Sequence, residues 1–268
     1  MNEANNPAYA LVFWLAAMVV AALTAHVALG WLARARRQGS FFDGAPSQLM
    51  AAAALGTGVS AAAVLGMMAE DLVFPVGYGV VAAGVLWLGA IICSMVLMLG
   101  LAFSPRWWMV LPTASVMAAL GVGSQMGWVW AAGLQPGVLW EWPVVAAGWT
   151  VMVLGCLVGL SATAMQGSRR YYDSQRFLRR GASFLLGLSL LAGQQITLGA
   201  ADLSSQKGSV FREQLPATLV GVGCGVLVPL TLVILAVDLS LRNRQRQRSL
   251  SNFAPDAPRR HRRRMRQL

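Results

Sequence analysis

The chain has 268 residues, of which 57% are hydrophobic and only 12% charged, and its formal net charge is +11. A soluble domain carries about a quarter of its residues as charges, so this composition excludes an ordinary water-soluble globule. It also excludes a disulfide scaffold, because Cys93, Cys156 and Cys224 lie far apart inside apolar runs with no CxxC spacing.

The apolar residues run in seven blocks, each long enough to cross the hydrocarbon core of a bilayer as a helix of about 20 residues. The first covers about Tyr9 to Leu32. The segment before it, MNEANNPAY, has no basic stretch, which predicts a retained helix rather than a cleaved signal peptide. After RARRQGSFFDGAPS, the second block covers about Gln48 to Ala69 and stops at Glu70 and Asp71, which read as a membrane boundary. The third, about Val76 to Phe103, ends at Pro105 and Arg106; the fourth runs from Trp107 and Trp108 to about Leu134. QPGVLWEWP leads into the fifth, about Trp142 to Met165, and the charged loop QGSRRYYDSQRFLRR follows. The sixth covers about Ala182 to Ala201, and the seventh, about Leu215 to Leu241, ends in a basic tail. Glycines inside the blocks do not oppose helix, because in lipid the backbone must bond to itself.

Charge orients the stack. Arg34, Arg36, Arg37, Arg106, Arg169, Arg170, Arg176, Arg179, Arg180 and the tail place 19 of the 21 basic residues on one side, leaving Lys207 and Arg212 on the other. Basic loops stay in the cytoplasm, so an odd number of spans puts the N-terminus outside. The expected organisation is a seven-helix transmembrane domain over 1–241 and a basic cytoplasmic tail over 242–268, helical at first and then disordered.

Three blocks carry a related pattern: GTGVSAAAVLGMMAE from Gly56, GVGSQMGWVWAAG from Gly121 and GLSLLAGQQITLGAAD from Gly187, starting 65 and 66 residues apart. Each enters from the cytoplasmic side and is followed by one further helix. The spacing predicts an all-α architecture of one leading helix and three parallel two-helix repeats, 1+2+2+2. Parallel repeats, and the lack of a row of intramembrane acids, argue against a secondary transporter or ion pump.

The stretch Gly56 to Gly79, GTGVSAAAVLGMMAEDLVFPVGYG, resembles the first repeat of the bacterial MHYT sensor domain. Gly56, Gly58, Gly66 and Met67 match that family's frame, and Pro75, Val76 and Tyr78 match its lead into the next helix. The resemblance covers about residues 8 to 242. It implies seven helices, an outside N-terminus, a bacterial inner membrane and a site where methionines and histidines hold a metal, copper in the family's case, to sense a diatomic gas. The signature itself is missing here. Its Met-His positions fall on Ala62 and Ala63, on Gly127 and Trp128, and on Gly193 and Gln194. Nor does a cytoplasmic cyclase, phosphodiesterase or kinase module follow in this sequence.

Candidate chemistry is sparse. His26 reads as an interhelical polar contact and His261 lies in the tail, so one chain cannot supply two imidazoles to a haem within the membrane. Met67, Met68, Met117 and Met126 are soft ligands suited to Cu(I), but thirteen methionines in an apolar protein read mainly as packing. No metal and no cofactor are expected. The best polar group is Ser124 and Gln125 in block four with Gln194, Gln195 and Thr197 in block six. Unpaired amides in lipid cost several kcal/mol, so these must find partners in neighbouring helices or line a pocket. A pocket opening outwards would be rimmed by Trp128, Trp130, Glu141 and Trp142 and would suit a quinone, a lipid headgroup or another small ligand. No acid and base are paired for catalysis.

Asp238 is placed to pair with Arg242 one turn on. Arg242, Arg244, Arg246, Arg248, Arg259, Arg260, Arg262, Arg263, Arg264 and Arg266 make the tail a contact for anionic lipid or an acidic protein partner, at about 1 kcal/mol per arginine near the surface. Without interleaved aromatics it does not read as a nucleic-acid binder. The sequence therefore predicts a non-enzymatic MHYT-like sensor or scaffold. The alternative is a membrane subunit of a larger respiratory or transport complex: a quinone-site anchor, transporter component or assembly factor.

Overall fold

The computed structural model describes residues 7–38, 41–70, 76–103, 109–135, 137–164, 172–203, 208–211 and 214–253. Seven helices occupy them: α1 (Pro7–Gln38), α2 (Phe41–Ala69), α3 (Val80–Phe103), α4 (Val110–Ala131), α5 (Trp142–Ala164), α6 (Tyr172–Gly199) and α7 (Ala217–Phe253). All but α4 are long and apolar enough to cross a membrane. The exception is instructive, because α4 spends turns on Pro112, Thr113, Ser115, Ser124 and Gln125. They stand within 22 residues of unbroken helix.

Several helices outrun their apolar blocks. The segment Phe41–Ser47, between blocks one and two, is the start of α2, with Ser47 Oγ donating to Gln38 Oε1 at 2.9 Å across the short link from α1. The charged run from Tyr172 to Arg180 is the first part of α6, and α7 continues through Arg242, Arg244, Arg246 and Arg248 to Phe253. Straight-chain basic residues are good helix formers, so nothing stops these helices where the apolar sequence ends. The side chains of Arg246 and Arg248, and Arg259, Arg260, His261, Arg262, Arg263, Arg264 and Arg266 altogether, lie outside the described residues, as do Trp107, Trp108, Arg169, Arg170, Lys207 and Arg212.

α2, α4 and α6 touch one another pairwise and form the inner triangle. α3 packs on α2 and α4, α5 packs on α4 and α6, and α7 packs on α2. α1 lies against α2, α6 and α7 and so closes the gap between the last two. Burial follows this order: 78% of the apolar window of α2 is buried, against 22% for α3 and for α7. Close approach depends on glycine at two crossings. A Cβ on Gly56 would meet the α3 backbone at 2.6 Å, and one on Gly187 would meet the Ala21 carbonyl oxygen of α1 at 2.5 Å. Small residues at such crossings let helix backbones pack where no hydrophobic effect drives association.

The connections after α2, α4 and α6 meet at one end of the bundle, so these three helices are parallel. The Gly79 amide donates to the Ala131 carbonyl at 3.0 Å, and the Glu141 amide to the Ala200 carbonyl at 2.9 Å. The Tyr78 amide donates to Leu215 O and the Ala217 amide to Val76 O. A two-residue antiparallel ladder, β1 (Leu134–Gln135) with β2 (Gly208–Ser209), joins two of the loops. This small exception to an all-helical chain arises because loop amides at a helix end need partners and neighbouring loops supply them. Ser209 links all three connections: its hydroxyl lies 2.7 Å from Ala132 O and 2.9 Å from Gly77 O, and accepts from the Gly77 amide at 3.2 Å.

Candidate functional site

Beneath this loop layer lies a polar cluster inside the triangle. Gln125 and Trp128 of α4 and Gln194 and Thr197 of α6 are fully buried, and Ser124 nearly so. They sit in the last two turns of parallel helices. Gly121 packs beside Leu190, with a Cβ there 3.7 Å from Leu190 Cδ2, and Gln125 and Gln194 each lie four residues further along their helices. Gln194 Nε2 donates to the Val59 carbonyl of α2 at 3.1 Å, stitching α6 to α2. Thr197 Oγ1 donates to the Gly193 carbonyl at 2.8 Å within its own helix. Gln195 is half-buried, its amide pressed into the space left by Gly66 of α2.

Both amide atoms of Gln125, both of Gln195, Gln194 Oε1, Trp128 Nε1 and the Ser60 hydroxyl of α2 are buried without a hydrogen-bond partner. Native proteins leave few such groups, because each costs about 1–3 kcal/mol. Here five side chains, drawn from all three inner helices, are affected. The set holds donors and acceptors in similar measure and no formal charge.

Aromatic rings separate the cluster from the loops. Tyr78, fully buried between α2 and α3, lies edge-on to Trp128 with ring centroids 5.3 Å apart, and Trp87 lies 6.3 Å from Trp128. The Tyr78 hydroxyl donates to Met67 Sδ at 3.5 Å. Burial holds the Tyr78 phenol protonated well above the usual tyrosine range, with Cys224 adding to the effect.

Of the residues singled out in the sequence, Glu141 stands apart. It is exposed, and its carbonyl accepts the Val144 and Val145 amides at the start of α5. Trp130 and Trp142 are also exposed, at 72% and 66%. A cavity of about 540 Å³ does lie at this end, but Trp130, Trp140 and Phe211 line it rather than the glutamines. Ser60 and Ser209 are parts of the arrangement that sequence reasoning gave no role, while Met67 and Tyr78, matched there to the family's frame, prove to be packed against each other. One signal for Ser60 was present: it follows Gly56 by four residues, as Gln125 follows Gly121.

Neither Ala62 and Ala63, both buried, nor Gly127 and Trp128, nor Gly193 and Gln194 offer an imidazole or thioether, so these positions do not fit a copper site of methionines and histidines. Among the described residues no three His, Cys, Asp or Glu side chains come together. At the far end of α7, Arg242 Nε lies 2.9 Å from both carboxylate oxygens of Asp238, and its guanidinium sits 5.9 Å over the Trp31 ring of α1. Trp31 Nε1 in turn donates to Leu235 O at 3.3 Å. Arg244 is exposed.

Comparison with protein-family models, with characterised proteins and with solved structures returns no match. The class the fold defines is a helical membrane protein, with six helices among its described residues long and apolar enough to cross a bilayer.

Proposed function

We propose that the chain is a non-enzymatic seven-span inner-membrane protein of MHYT-like build that holds a small, uncharged, hydrogen-bonding ligand among its buried carboxamides. The observation that carries this reading is the set of unpartnered groups on Gln125, Trp128, Gln194, Gln195 and Ser60. Donors and acceptors left open together select a neutral molecule bearing both, since a bare cation would leave Trp128 Nε1 and the amide nitrogens unmet. Binding there would brace α2, α4 and α6 against one another. α6 and α7, which continue past their apolar stretches into charged helix, are the elements suited to carry the change to the cytoplasm.

α4 is the seventh span in this reading. Its 22 residues rise about 33 Å, and its polar side chains Ser124 and Gln125 point into the bundle. The 1+2+2+2 repeat draws support from a shared bond: the residue before α3 donates to the end of α4, and the residue before α5 donates to the end of α6. The basic ends of α6 and α7 support a cytoplasmic C-terminus and an outside N-terminus.

Two experiments test this. Small molecules extracted from protein purified in mild detergent should include one at near one per chain that disappears in Gln125→Leu and Gln194→Leu; identical extracts from all three proteins would sink the ligand. In a background without native cysteines, Gln206→Cys should label from outside and Asp173→Cys only from inside. The reverse pattern overturns the orientation. The reading as a subunit of a larger complex rests on the exposed Trp130, Trp142 and Trp149, and a stoichiometric partner at that face would favour it.

A further inference from the structure

The 540 Å³ cavity at the loop end is a separate site. Met126, Val129 and Trp130 of α4 line one part of it, and Leu134, Gln135, Gly137, Val138 and Trp140, with Val210 and Phe211, line another. Phe211 is held in place, because Gly79 and Gly133 both leave room for its ring; Gly133 has φ +57°, and a Cβ there would lie 2.6 Å from the ring. Among the described residues, the lining holds three aromatic rings, the amide of Gln135 and no ionisable side chain. Its largely apolar walls suit an uncharged, apolar ligand.

Location narrows the ligand further. Ala82 is the third residue of α3, and Met126 lies five residues, about 8 Å, below the end of α4. The cavity therefore sits at the ends of the apolar helices, the depth at which tryptophan gathers between hydrocarbon and headgroups. Its side wall is continuous with surface that is exposed and apolar: Val81 at 79%, Val85 at 64% and Trp130 at 72%. A molecule reaching the cavity along that wall comes from the bilayer. The volume falls within the range of about 300–1,000 Å³ typical of small-molecule sites.

We propose that this cavity binds the acyl chain of a phospholipid from the adjoining leaflet, folded between Trp130 and Phe211 under the Gly137–Trp140 loop, with its headgroup outside. The inference rests on the membrane reading of the helices and not on the carboxamide ligand. The test uses the full chain in phospholipid vesicles doped with a phospholipid carrying a terminal diazirine on one acyl chain. After photolysis, adducts should be several-fold enriched on residues 126–140 and 210–211 over the lipid-facing stretch 226–234 of α7. Gly137→Trp adds an indole at a cavity-lining position where a Cβ meets nothing within 4 Å, and it should bring labelling down to the α7 level. Ala82→Phe blocks the mouth from another helix and should do the same. Equal labelling of the two regions in the native chain, or enrichment that survives both substitutions, overturns the proposal. So does a prenyl lipid, rather than a phospholipid, retained by the native chain and lost in Gly137→Trp. Loss of labelling everywhere, α7 included, would instead count against membrane insertion.

Discussion

The edge of Tyr78 meets the indole of Trp128 at 5.3 Å and 90°, joining the loop before α3 to the inner face of α4. Edge-to-face pairs contribute about 0.5–1.5 kcal/mol beyond the area they bury. This one also closes the polar cluster off from the loops. Trp128→Ala should therefore cost about 3–5 kcal/mol, the range for a buried aromatic replaced by a methyl. Tyr78→Phe keeps the ring and loses only the contact to Met67 sulfur, so it should cost well under half as much. Equal losses in a thermal or denaturant melt would show that the ring pair is not what holds the two elements.

Tyr78 also predicts a pH dependence. Its phenol is raised by burial above the ordinary value of 10.0, so the folded chain keeps the proton that the unfolded chain releases first. Below about pH 10 both states are protonated and the residue adds no slope. Above it the folded state loses stability, and the contribution is gone once pH passes the raised folded value. Ultraviolet titration should show one of the four tyrosines ionising only with unfolding, and Tyr78→Phe should remove that late component. A late component that persists in the variant belongs to another tyrosine.

Gln125 and Gln194 have opposite expected behaviour. Gln194 donates to Val59 O, so Gln194→Leu removes an interhelical bond of about 0.6 kcal/mol, up to about 2. Gln125 has no partner at either amide atom, and Gln125→Leu replaces an unsatisfied group with an apolar one of similar size. Such a change is neutral or stabilising. In ligand-free protein the melting temperature should fall for the first and hold or rise for the second. A drop for Gln125→Leu as large as that for Gln194→Leu would mean that Gln125 is already satisfied in ligand-free protein.

Much of this was legible before the fold. Block lengths located the helices because in hydrocarbon an apolar run of about 20 residues has few other stable forms. Asp238 and Arg242 pair as their four-residue spacing requires. Polar residues in apolar helices marked Gln125, Gln194 and Thr197 as interior. The helix ends were harder, since charged helix beyond the bilayer leaves no hydropathy signal, as at Tyr172–Arg180. Tertiary packing was hidden altogether. Nothing in the string GTGVSAAAV says that Val59 will offer a carbonyl to Gln194, and nothing in QKGSVF marks Ser209 as the residue where three loops meet.

Glycine substitutions separate crossings from lipid-facing positions. At Gly187 a methyl group would collide with the backbone of Ala21 and Ala22 at 2.5–2.9 Å, and neither backbone can turn aside as a side chain can. Gly187→Ala should force α1 and α6 apart and cost about 1–3 kcal/mol, as overpacking does. At Gly84 and Gly89 of α3 a Cβ meets nothing within 4 Å, so alanine there should be neutral or stabilise by up to about 1 kcal/mol through helix propensity. Gly66 is the intermediate case, because the obstacle is the flexible amide end of Gln195, which can swing away. Melting of the four alanine variants in one detergent checks the order. If Gly66→Ala proves as damaging as Gly187→Ala, then Gln195 is fixed in place, and the carboxamide cluster is rigid before any ligand arrives.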